Sequence, residues 1–149
     1  MRKLIISALL LLALCESSLP QTSCRCRSAT ADDKTIWGHI ATEEKEVRTV
    51  KKVQGVVRDP VGGRLEDALV EVFADDGTDI TPTSSSKIRV AACVTGEKGK
   101  FCFEGLKAGK YILAVGRQGF NITFIKLNLA PKGRRSSGKS LDVRLELGT

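Results

Sequence analysis

With 149 residues the chain has room for one domain of ordinary size and excludes two large ones. Hydrophobic residues at 42% exclude a chain that is disordered throughout. The formal net charge of +7, from 24 basic and 17 acidic residues, falls well short of a histone-like polycation, so its distribution matters more than its size.

Met1-Arg2-Lys3 makes a positive start, Leu4 to Leu14 is almost unbrokenly apolar, and Cys15-Glu16-Ser17-Ser18 brings small and polar residues. This is the layout of a secretory signal peptide, read over residues 1–18. The apolar run is about half of the ~20 residues needed to cross a bilayer. The expectation is a secreted or periplasmic protein. The alternative is an envelope lipoprotein accessory subunit, since Leu12-Ala13-Leu14-Cys15 resembles a lipobox in which Cys15 would carry lipid; Leu14 departs from that pattern, which wants a small residue.

Residues 19–52 read as an N-terminal arm or linker, rich in Pro, Ser, Thr and charge, with an apolar island at Ile36-Trp37. From Val53 the chain changes to short runs of β-branched and aromatic residues punctuated by Gly, Pro and Asp. Strands are predicted near 53–59, 67–73, 88–95, 100–104, 110–117, 121–129 and 141–147. In the last, Leu141, Val143, Leu145 and Leu147 alternate with Asp142, Arg144 and Glu146, so one face is apolar and the other solvated. Seven short strands and no long helix predict an all-β, seven-stranded antiparallel β-sandwich.

The residues that punctuate these strands carry a resemblance. Gly55 sits within the first strand, Asp59-Pro60 with Gly62-Gly63 forms a hairpin turn, and Ala68 and Val70 begin the returning strand. Gly99 closes the next hairpin, Phe101 and Phe103 plug the core, and Gly105-Leu106 with Gly109 turns the chain into Tyr111. Over about 53–147 this pattern resembles the carboxypeptidase regulatory-like family. That resemblance implies a transthyretin-like sandwich over 53–149 and brings no catalytic residue with it.

Four cysteines remain once Cys15 is removed with the signal: Cys24, Cys26, Cys93 and Cys102, an even number in an oxidising compartment. A hairpin turn at Gly96-Glu97-Lys98-Gly99 would set Cys93 opposite Cys102. On the same alternation, Cys93 and Cys102 share the more polar face, where they could equally receive Cys24 and Cys26. A four-thiol zinc site is the sharpest alternative, but no Cys-x-x-Cys spacing occurs.

Gly133-Arg-Arg-Ser-Ser-Gly-Lys-Ser140 matches the P-loop pattern letter for letter, but a P-loop opens a helix and the residues after Ser140 have the period of a strand. His39 is the only histidine and no Gly-x-Ser-x-Gly occurs, which leaves a His39 hydrolase as a minor reading. Asp75, Asp76 and Asp79 lack the spacing of a calcium loop, and Asn121-Ile-Thr123 is a glycosylation sequon inside a predicted strand. No cofactor and no metal is expected, and the chain is expected not to be an enzyme.

Charge is divided unevenly. Residues 53–97 hold four basic and eight acidic groups, whereas 98–149 hold eleven basic and three acidic. Lys132, Arg134, Arg135 and Lys139 fall in one loop, the candidate binding site for an anionic glycan, a membrane surface or an extracellular or envelope protein. Without interleaved aromatics for stacking, the loop does not predict a nucleic-acid partner.

Overall fold

The structure is a computed structural model, and it describes residues 26–30, 41–78, 88–131, 133 and 138–148. The described residues form strands and turns without a helix, so none is long and apolar enough to cross a membrane as a helix. Nine strands occur in chain order: β1 (Arg27–Ser28), β2 (Ala41–Val50), β3 (Val53–Arg58), β4 (Leu69–Ala74), β5 (Arg89–Val94), β6 (Lys100–Phe103), β7 (Gly109–Gly116), β8 (Ile122–Leu129) and β9 (Leu141–Arg144). They make a six-stranded sheet in the order β1-β5-β4-β7-β8-β2 and a three-stranded sheet in the order β6-β3-β9.

All seven predicted strands are present, but the all-antiparallel expectation is not met. The β2–β8 and β3–β9 pairings are parallel, and two further strands lie within the stretch read as an arm. β2 escaped sequence reading because Glu43-Glu44-Lys45-Glu46 breaks any apolar alternation. It is an edge strand, and charge on an edge guards against unwanted pairing. Its register shifts between Glu44 and Arg48.

The two sheets face one another across a common core. The smaller sheet contributes Val53, Val57, Phe101, Leu141 and Val143, and the larger contributes Val70, Val72, Leu113, Val115, Ile125 and Leu127. Ile112, Ala114, Ile122 and Phe124 form a second buried cluster, with Phe73 packed against it. β7 and β8 are thus buried on both faces, which is why their sequences run apolar without a period of two. Phe101 is buried as expected, with its ring 6.4 Å from that of the half-buried Phe103.

The turn at Asp59 is the one expected. Asp59 Oδ1 accepts from the amides of Val61 and Gly63 at 3.0 and 2.7 Å, and Gly62 takes φ +95°. The turn at Gly96–Gly99 is not a hairpin. Gly99 N–H donates to Gly96 C=O, and the chain then leaves β5 in one sheet and enters β6 in the other. Thr95 secures this corner from inside the core: its hydroxyl donates to Leu65 C=O at 2.7 Å and accepts from Ala68 N–H at 2.9 Å. Tyr111 anchors the turn before β7 by donating to Lys107 C=O at 2.7 Å.

Candidate anion-binding face

Alternation along β3 sends Val53, Gly55 and Val57 into the core and Gln54, Val56 and Arg58 to the other face of the small sheet. Gly55 allows the close approach that this requires, because a Cβ there would run into the Leu141 carbonyl and lie 2.7 Å from the Phe101 ring. Two pairings then fix the polar face. In the parallel β3–β9 ladder Arg58 stands opposite Arg144 and Val56 opposite Asp142. On the other flank Arg58 is bridged to Arg64, and Val56 is opposite Lys100. Arg64, Arg58 and Arg144 therefore run in one row across three chain segments, ~4.8 Å from one to the next at the backbone, with Lys100 in the adjoining row.

Arg58 is held in place. Its Nε donates to Asp142 Oδ1 at 3.1 Å and a terminal nitrogen donates to Gly62 C=O at 3.0 Å. Arg64, Arg144 and Lys100 are exposed and make no ion pair among the described residues. Among the residues paired in these ladders, one carboxylate, Asp142, stands beside four cations. A guanidinium presents a planar fork of donors that matches sulfate, phosphate or carboxylate oxygens, so the row offers an extended anion two outward-facing forks around a fixed centre.

Of the predicted loop site, Lys132, Arg134 and Arg135 lie outside the described residues, as do the signal segment 1–18, Cys15, Cys24, Trp37, His39 and Asp79. Lys139 is exposed and precedes β9 by two residues, at the end of the strand that carries Arg144. A strand, not a helix, follows Ser140. Asp75 and Asp76 spend carboxylate oxygens on their own turn, accepting from Gly77 N–H and from Thr78 N–H and O–H. Asn121 is buried and its Oδ1 has no hydrogen-bond partner among the described residues, so the sequon is closed in the folded chain.

Cys93 is not on a polar face opposite Cys102. It is buried in the core cluster, and β5 and β6 belong to different sheets, so the expected cross-strand bridge is corrected: among the described residues Cys26 and Cys93 are free thiols. Cys102 is engaged and is not one of them. Arg58, Arg64 and Arg144 were missed as a site. The alternation in β3 and β9 marks Arg58 and Arg144 as outward, but nothing local brings the two strands together.

No protein-family model and no curated protein matches the chain. Solved structures that it resembles include chlorocatechol 1,2-dioxygenase from Pseudomonas putida, at 14% identity and TM-score 0.40 over 81% of this chain and 71% of that one. Catechol 1,2-dioxygenase from Pseudomonas arvilla C-1 is similar at 12% identity and TM-score 0.41, over 81% of this chain and 62% of that one. Hydroxyquinol 1,2-dioxygenase from Pseudomonas putida DLL-E4 gives 11% identity and TM-score 0.40, over 85% and 68%. This chain spans less than two thirds of the length of the second of these. The expectation that the chain is not an enzyme is corrected against these neighbours, which are dioxygenases, and it is carried no further. A likeness at these TM-scores transfers no activity, substrate or cofactor to this chain.

Proposed function

We propose that this protein is an exported β-sandwich module of transthyretin-like kind that binds anionic glycan chains through the arginine row of its smaller sheet. The observation that carries this reading is the register of Arg64, Arg58 and Arg144. Three like charges side by side oppose folding, so their concentration on one exposed face serves a ligand better than it serves the sheet. A linear polyanion with repeated sulfate or carboxylate groups meets several of these cations at once, whereas a single small anion meets one fork. Residues 1–18 support export, and the turns at Asp59–Gly63 and Gly105–Gly109 support the family resemblance.

The experiment is salt elution of the full chain from immobilised heparin. Arg64→Glu with Arg144→Glu should elute at clearly lower salt than the parent. Lys107→Glu with Lys110→Glu makes the same change of net charge away from the row and should shift elution much less. Equal shifts for the two pairs would show that only net charge matters and would overturn the proposal. Tighter binding to phosphatidylglycerol vesicles than to heparin would overturn the choice of glycan over membrane.

A further inference from the structure

β1 is only two residues long, lies at the edge of the larger sheet and pairs with β5 alone. Its register sets Ser28 opposite Cys93 and Arg27 opposite Val94. Cys26, two residues before Ser28, falls on the same side as Cys93 by strand alternation. The side chains converge: Cys26 packs against the cluster that holds Cys93, and its thiol donates to Cys102 C=O at 3.5 Å. Cys26 is half-buried against the core to which Cys93 belongs.

We propose that Cys26 and Cys93 form a disulfide-forming site that latches β1 to β5, with a small-molecule disulfide as the oxidant. The two cysteines have different parts. Cys26, the more exposed, is the attacking group. The hydrogen bond from the Cys93 thiol, helped by the Cys102 backbone and opposed by burial, brings its pKa from 9.0 down to about 6. Cys93 is the resolving group, held as a neutral thiol first by that same hydrogen bond and then by burial and the charge on Cys26.

The Cys26 thiolate attacks one sulfur of the small disulfide, whose S–S bond breaks to release one thiolate and leave a mixed disulfide on Cys26. Charge on Cys26 is then gone, and with it a main reason for Cys93 to stay protonated. Cys93 gives its proton to solvent and attacks Cys26 Sγ, and the second small thiolate leaves. Two protein thiols are oxidised to one disulfide while one small disulfide is reduced to two thiols. The product fastens a short edge strand whose few backbone hydrogen bonds would hold it poorly alone.

Trypsin separates the relevant cysteines. Cleavage after Arg25 and Arg27 frees Cys26 with Arg27 alone, Cys93 falls in residues 90–98, and Cys102 falls in 101–107. The full chain, reduced and then equilibrated with glutathione disulfide, is alkylated and digested for mass spectrometry. The expected result is a linked species joining 26–27 to 90–98. Alkyl label on both Cys26 and Cys93 after oxidation, or a link from Cys93 to Cys102, would overturn the proposal. Cys26→Ser, a change at a half-buried edge position, should leave Cys93 unlinked in folded protein. Cys93→Ala should stop the reaction at one glutathione on Cys26; absence of that adduct also counts against the assigned roles.

Discussion

Arg58 stands directly opposite Arg144 on a neighbouring parallel strand, and Arg64 flanks it on the other side. Like charges so placed destabilise a sheet by ~0.2–1 kcal/mol per pair. Arg144→Thr keeps a good strand residue and removes the repulsion. Its stability in urea should match the parent or exceed it by up to ~1 kcal/mol, while retention on heparin falls. Loss of stability together with retention would assign Arg144 to the fold and not to a ligand.

Thr95 is the position where a one-atom change should cost most. Its buried hydroxyl makes bonds to Leu65 and Ala68, and Thr95→Val preserves shape while leaving those two backbone groups without it. The expected loss is ~2–3 kcal/mol, because a buried donor and a buried acceptor each lose a partner. Urea unfolding measures it, and Thr95→Ser should recover most of the difference.

Two glycines should respond unequally to the same substitution. Gly55→Ala forces a methyl group between the Leu141 carbonyl and the Phe101 ring, neither of which can move without disturbing the core. A cost of ~3 kcal/mol or more is expected from such overpacking. Gly62 has open space around it and only its φ of +95° to protect, so Gly62→Ala should cost about 1–2 kcal/mol. Thermal melts of the two variants compare them directly.

In the reduced protein, alkylation of Cys26 should be slow below pH about 6, rise through that value and level off well before 9.0. The sign follows from the reactive form: a lowered pKa makes the thiolate available at lower pH. Removing the Cys93 donor in Cys93→Ala should move the midpoint upward toward 9.0. Rates of iodoacetamide labelling, read on the Cys26-Arg27 peptide, test this; an unmoved midpoint would mean that Cys93 does not stabilise the thiolate.

The strands from Val53 onward were legible because each is short, β-branched and bounded by turn residues. β9 alternates so cleanly that its core face, Leu141 and Val143, needed no structure. β2 was not legible, because a charged edge strand has no apolar signature. The candidate loop was visible as a run of basic residues, whereas the arginine row was invisible because its members are 6 and 80 or more positions apart.

Sequence alone determined what depends on neighbours along the chain: the strand period, the Asp59 turn, the residues that must be apolar and the number of cysteines. The tertiary structure decided what depends on which strands become neighbours in space. Parallel pairing of β3 with β9 built the arginine row, the crossing at Gly96–Gly99 put Cys93 and Cys102 in strands of different sheets, and the pairing of β1 with β5 gave Cys93 its partner in Cys26. Backbone hydrogen bonds between strands are blind to side-chain identity, so register is selected by the core that all strands bury together, and no segment carries that information by itself.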